Sequence, residues 1–357
     1  MESNGLYLGT ETKSSLEYAL LPERAQKAAE KLFSDDHLVE ERIQKFASVQ
    51  PRSADKEGDT ETLDDIAFTH HFVDVPGDYE TVTFHYVESG PADGETTVFL
   101  HGIPDSWFQW HHQMSFLATA GHRSIAPDLK GYGQSDKRPG DYRHEGVADQ
   151  LYGMLQMIGV TEFNLVTHDR GTCQGDYIAA KHPEAVLRYG RGEQHLYLFN
   201  PALAPQGEIF MESPWTGVMN DPKGFVVLLY SSVAKLPIPD AEFARVIQEY
   251  SYPRITRAVP RYFNSSSFRA EWLDRRNRLL KSWKCPVLIM QGYDSRTQPR
   301  EFYEKAREYI PNAKEVAVQY LPGGHFWTLE SPNETNKALR KLLAMPVEVR
   351  AAETSKI

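Results

Sequence analysis

From Phe68 onward the chain alternates short apolar runs with stretches of helical period. The runs are Phe72–Val75, Thr81–Val87, Thr97–Leu100, Arg123–Ala126, Phe163–Val166, His195–Phe199, Val287–Met290 and Glu315–Tyr320. Continuous apolar runs separated by helices predict a mostly parallel sheet buried on both faces, because only a doubly covered strand lacks a polar side. Between about Ala204 and Trp283 the rhythm lapses into helix-like, aromatic sequence, which predicts an excursion out of the sheet of the kind a lid makes. Residues 1 to about 65 are polar, with a helix expected over Leu21 to Phe46: Pro22 stands in its first turn, and Leu32, Phe33, Leu38 and Ile43 form an apolar stripe. Arg52 to Leu63 reads as a charged linker or loop.

A length of 357 residues suits one large α/β domain carrying an insertion. The formal net charge of −10 offers no basic face for tracking phosphates, so nucleic acid is not an expected partner. No run of about 18 apolar residues occurs, and the opening Met1-Glu2-Ser3-Asn4-Gly5 lacks the layout of a signal peptide, so no membrane segment is expected. Cys173 and Cys285 permit at most one bridge and have no metal-ligand spacing, which reads as a reduced, cytoplasmic protein with both thiols packed. The N-terminal arm is assigned no chemistry; it is expected to pack against the core or in a homodimer contact.

In doubly wound sheets ligands gather at the carboxyl ends of the strands, so the residues after each apolar run are the ones to question. Four such places converge: His101-Gly102-Ile103-Pro104, Thr167-His168-Asp169-Arg170-Gly171, Gln291-Gly292-Tyr293-Asp294 and Pro322-Gly323-Gly324-His325. Asp169 occupies a strand-to-helix junction, where small neighbours permit a sharp turn and the helix N-terminus, with Arg170, favours an ionised carboxylate. An isolated Asp at such a junction is as well explained as a helix N-cap. The other strand ends argue for more: Asp294 is expected to orient His325 and stabilise its cation while His325 takes a proton from water. The backbone N–H groups of Ile103 and Arg170 are expected to hold a developing oxyanion.

The segments HGIPDSWFQW (His101 to Trp110), IAPDLKGYGQSDK (Ile125 to Lys137), THDRG around Asp169, QGYD ending in Asp294 and GGHF around His325 resemble the α/β-hydrolase superfamily in its epoxide hydrolase and haloalkane dehalogenase branch. The likeness runs from about Phe68 to Leu343 in the right order and leaves the N-terminal arm outside. It implies an α/β-hydrolase fold with a mostly parallel eight-stranded sheet, helices on both faces and an inserted helical lid. The implied division is an arm over residues 1–66, core over 67–204, lid over 205–283 and core again over 284–357. The stretch Arg188 to His195 (RYGRGEQH) is longer and more polar than that pattern.

The resemblance also implies a two-step mechanism with no metal and no organic cofactor. Asp169 attacks a saturated carbon to give an alkyl ester, and water activated by His325 and Asp294 hydrolyses it. Epoxide hydrolases hold the oxirane oxygen with lid tyrosines; here the lid region offers Tyr230, Tyr250, Tyr252 and Tyr262, of which Tyr262 is the first choice and Tyr230 the second. His101 and Trp107 are expected beside the substrate. Arg170 stands where haloalkane dehalogenases carry Trp, and Ile103 where they carry Asn, so the expected reaction is opening of an apolar epoxide to a vicinal diol. A haloacid or haloalkane dehalogenase is the alternative, and a noncatalytic ligand-binding protein of the same fold is a third.

Overall fold

The computed structural model describes residues 36–77, 80–199, 221–266 and 268–347. Its centre is a nine-stranded sheet: β1 (Thr60–Leu63), β2 (Ile66–Pro76), β3 (Thr81–Ser89), β4 (Thr96–Leu100), β5 (Arg123–Pro127), β6 (Phe163–His168), β7 (Val186–Gly192), β8 (Val287–Gly292) and β9 (Val316–Leu321). The spatial order is β1-β2-β3-β5-β4-β6-β7-β8-β9. β1, β2, β3 and β5 pair antiparallel in succession, and from β5 across to β9 all pairs are parallel. Every residue of β6 and β8 is buried, as the unbroken apolar runs require of strands covered on both faces.

Two strand expectations need correction. Eight strands were expected and nine are found, because Thr60–Leu63 leaves the supposed linker to pair with β2. It is short and its side chains alternate between exposed and half-buried, which suits an edge strand whose outer groups face water. The run His195–Phe199 forms no strand; the strand is the preceding Val186–Gly192. That segment hid itself by polarity: Arg188 and Arg191 are buried, and Arg191 is neutralised by Asp176 with an Nε···Oδ1 distance of 2.9 Å. Burial of a guanidinium is tolerable only with such a partner.

Helices cover the sheet: α1 (Asp36–Lys45), α2 (His111–Thr119), α3 (His144–Met157) and α4 (Arg170–Lys181) precede the excursion between β7 and β8. The excursion contains α5 (Pro222–Val233), α6 (Asp240–Glu249), α7 (Ile255–Ser265) and α8 (Phe268–Asn277). Its expected first part, residues 205–220, lies outside the described residues, as does the part of the expected N-terminal helix before Asp36. The arm closes against the excursion: Phe46 meets Phe243 edge-on at 4.8 Å, Lys45 pairs with Asp240, and Arg245 pairs with Glu61 of β1. After β8 come α9 (Ala306–Tyr309), β9, α10 (Trp327–Glu330) and α11 (Pro332–Leu343). Among the described residues no helix is long and apolar enough to cross a membrane.

Candidate active site

Asp169 joins β6 to α4 with φ +49° and ψ −117°, a backbone region that L side chains seldom occupy. Hydrogen bonds hold this turn from both sides: the Asp169 N–H donates to Gly192 O at 3.1 Å, and the Asp169 carbonyl accepts from Thr172 N–H at 3.1 Å. Two glycines make room. A Cβ on Gly102 would lie 2.5 Å from Asp169 Cβ, and one on Gly171 would lie 2.4 Å from His101 O, both closer than real carbon contacts. The junction is therefore a tight crossing of β4 and α4 that lifts one carboxylate to the strand ends.

The Asp169 carboxylate has distinct surroundings at its two oxygens. Oδ1 accepts from the Ile103 backbone N–H at 3.0 Å, and Oδ2 lies 3.5 Å from His325 Nε2. Arg170 begins α4, so its N–H belongs to a first turn with no intrahelical acceptor. Burial would raise the Asp169 carboxyl, but His325, His168 and the Ile103 N–H together hold it below the ordinary aspartate value. The side chain is 15% exposed.

The group behind His325 is not Asp294. His325 Nδ1 faces Glu193 Oε2 at 2.9 Å and Thr297 Oγ1 at 2.7 Å, whereas Asp294 is exposed and, among the described residues, contributes only a backbone N–H to Gly323 O. β8 ends at Gly292, and the following turn sends Asp294 outward while burying Ser295 and Thr297. Those two hydroxyls donate to Glu193 Oε2 at 2.7 and 3.2 Å, and Oε1 accepts from Gln291 Nε2 and the Gly292 N–H. Glu193 is thus a fully buried carboxylate held by four donors besides the imidazole. Its signal in sequence is an acid just past a strand end, but the apolar run His195–Phe199 suggests a strand after Glu193, whereas the strand Val186–Gly192 ends just before it.

His325 stands between two carboxylates. Burial alone would lower its pKa, yet Glu193 and Asp169 outweigh burial and push it up to about 10. The neighbouring His168 is the converse: burial pushes it down to about 3, and its Nε2–H donates to the His325 carbonyl at 2.7 Å, fixing the loop that carries the imidazole.

The aromatic expectations divide. The Tyr262 hydroxyl donates to Lys130 O at 2.7 Å, and the Tyr230 hydroxyl donates to Asp105 Oδ1 at 2.7 Å, so the single proton of each phenol is already engaged. Three other buried phenols, Tyr132, Tyr250 and Tyr252, have hydroxyls without a hydrogen-bond partner among the described residues; the Tyr252 ring lies under the Lys137 ammonium, and the other two face each other. Their rings lie 6.4 Å apart, Tyr132 stands 5.2 Å from the His101 ring, and Tyr132 senses the charges of Arg170 and Asp169. Burial raises both phenols above their ordinary value and keeps them protonated. Asp105, 2% exposed, has its carboxyl pushed up to about 7 by burial, against the pull of the Tyr230 hydroxyl.

His101 and Trp107 are scaffold, not pocket wall. His101 is fully buried, with Nδ1–H donating to Gly102 O at 2.8 Å and Nε2 accepting from the Leu129 N–H at 2.9 Å. The Trp107 ring packs at 5.6 Å from Phe68 and 5.5 Å from His70. The Arg170 guanidinium turns from Asp169 into a buried pair with Glu271, at 3.1 and 3.2 Å. Burial would raise the Glu271 carboxyl, but Arg170 and His144 hold it well below the usual range.

The α/β-hydrolase fold family matches residues 97–189. Epoxide hydrolase 2 of Siraitia grosvenorii is 38% identical over 119 residues, which are 33% of this chain and 36% of that protein. A haloalkane dehalogenase of Psychrobacter cryohalolentis is 25% identical over 289 residues, 78% of this chain and 93% of that one. The crystal structure of Cfl2 from Burkholderia cenocepacia superimposes with a TM-score of 0.67 at 26% identity, covering 77% of this chain and 95% of the other. The protein has the α/β-hydrolase fold, and its sequence likeness runs to epoxide hydrolases and haloalkane dehalogenases. The matched stretch spans only about a third of the length of the Siraitia relative.

Proposed function

We propose that the protein is an epoxide hydrolase that opens a neutral, mostly apolar epoxide to a vicinal diol through an ester on Asp169. The observation that carries this reading is the alignment of Asp169, His325 and Glu193, with 3.5 Å and 2.9 Å between successive groups. Asp169 Oδ2 attacks a ring carbon and the carbon–oxygen bond breaks, while Oδ1, held by the Ile103 N–H, becomes the ester carbonyl. The departing alkoxide takes a proton from Tyr132 or Tyr250, whose buried hydroxyls have no other acceptor among the described residues, and the proton lost is replaced from the His325 imidazolium.

Esterification removes the negative charge 3.5 Å from His325 Nε2, which is one of the two carboxylates that raise its pKa. The His325 pKa thereby falls, so the imidazole gives up its proton and is free to act as a base only after the first step. Water then attacks the ester carbonyl carbon, giving its proton to His325; Glu193 stabilises the resulting cation, and Ile103 and Arg170 N–H groups hold the oxyanion. Collapse expels the second diol oxygen, which takes the proton of the regenerated Asp169 carboxyl. The helical excursion serves as the lid that carries Tyr250.

Dehalogenation by the same nucleophile is the second reading, supported by the likeness to the Psychrobacter enzyme over most of both chains. A haloacid is disfavoured, since Glu271 already occupies the Arg170 fork that a substrate carboxylate would need. The test is mass spectrometry of the His325→Gln variant after exposure to an epoxide panel and to haloalkanes. Because the second step stalls, the Asp169 peptide should gain the mass of one epoxide. An adduct with haloalkanes alone selects the second reading, and no adduct on Asp169 overturns both.

A further inference from the structure

We propose that His111, His112 and Glu242 form a binding site for a zinc-class divalent cation that ties helix α6 of the excursion to helix α2 of the core. One donor atom from each of the three lies within 4.8 Å of the others. His112 Nε2 and Glu242 Oε2 are 3.1 Å apart, close to the edge of about 3.3 Å that a tetrahedral ion with bonds of about 2.0–2.1 Å imposes on its ligands. His111 is set up by its own hydrogen bond. Its Nδ1 lies 2.8 Å from the Phe108 carbonyl, an acceptor only, so Nδ1 carries the proton and Nε2 keeps its lone pair.

The donor set selects the ion. Two imidazole nitrogens and one carboxylate oxygen favour zinc and its first-row neighbours over magnesium or calcium, which prefer oxygen alone. The side chains of His112 and Glu242 are 21% and 20% exposed, so an ion can reach them from solvent. The nearby Arg245 does not compete for Glu242, because its guanidinium is committed to Glu61 and Glu249. A second cluster, His144, Cys173 and Glu271, makes the contrast: there Arg170 bonds Glu271 and Arg275 bonds the Cys173 sulfur, so cations already occupy the ligands.

The site bridges chain segments 130 residues apart and shares no residue with the Asp169, His325 and Glu193 group, so its test does not depend on turnover. Full-length protein without an affinity tag, stripped with chelator, would be titrated with ZnCl2 by calorimetry and with CoCl2 by visible absorption. One equivalent of zinc should bind, cobalt should give the absorption of a nitrogen- and oxygen-ligated ion, and zinc should raise the melting temperature. His112→Gln and Glu242→Gln, both at half-exposed positions, should each weaken binding at least tenfold and abolish the rise in melting temperature. Absence of saturable one-to-one zinc binding, or equal affinity in both variants and the wild type, overturns the proposal.

Discussion

His325 Nδ1 lies 2.9 Å from Glu193 Oε2, a carboxylate delivered by the end of β7, while Asp294 at the end of β8 faces solvent. The two carboxylates are therefore separable by mutation. Glu193→Gln keeps the shape of the side chain but removes the charge that stabilises the imidazolium; hydrolysis of epoxide should slow by on the order of 10²- to 10⁴-fold. Asp294→Asn should leave the rate within about threefold, because that side chain is exposed and has no hydrogen-bond partner among the described residues. Steady-state kinetics on the two variants checks both.

The elevated pKa of His325, about 10, depends on Asp169 as well as Glu193. Asp169→Asn reproduces the loss of charge that esterification causes, so the imidazole of that variant should titrate at least about one unit lower, as loss of an adjacent opposite charge implies. Histidine NMR titration measures it; an unchanged pKa would mean that Asp169 has no part in tuning the base. The sign for stability follows. A raised folded-state pKa stabilises fully below the unfolded value of about 6.5, and this contribution is lost as pH rises toward 10. The stability gap between wild type and His325→Gln should therefore narrow between about pH 6.5 and 10, as measured by urea unfolding.

The tyrosines give a pattern of rate against stability. Tyr132→Phe and Tyr250→Phe should slow ester formation, by on the order of 10²- to 10⁴-fold for the one that is the general acid, with little loss of stability because neither hydroxyl has a partner among the described residues to lose. Tyr262→Phe removes the bond to Lys130 O and should cost about 1 kcal/mol of stability instead. Rapid-quench measurement of the Asp169 ester together with thermal unfolding distinguishes the two kinds of effect.

Much of this arrangement was legible in the sequence, and the reasons are local. Strands such as Val287–Gly292 advertise themselves because both of their faces are apolar, and Asp169 stands immediately after a run of that kind; His325 follows the half-buried strand Val316–Leu321 through a Pro-Gly-Gly turn. Glu193 was hidden because β7 buries Arg188 and Arg191 and reads as a polar loop, their partners Asp176 and Glu95 being distant in sequence. Tyr132 and Tyr250 were passed over for another reason: which phenol finds a carbonyl or carboxylate is decided by tertiary contacts, such as Lys130 O beside Tyr262, that no periodicity encodes.

The buried pair of Arg170 and Glu271 locks α4 to α8 beneath the nucleophile. Removing one partner leaves an uncompensated charge, so Glu271→Gln should destabilise the protein by roughly 3–5 kcal/mol, readable as a lower denaturant midpoint. Haloacetate should remain a poor substrate of the wild type.

A single turnover in H2¹⁸O with enzyme in excess over epoxide shows whether an Asp169 oxygen enters the product. Attack by Asp169 gives diol free of ¹⁸O in the first turnover and leaves ¹⁸O in the Asp169 peptide afterwards. Diol carrying ¹⁸O from that first turnover, with Asp169 unlabelled, would mean that water attacks the epoxide carbon itself and that no ester forms on Asp169.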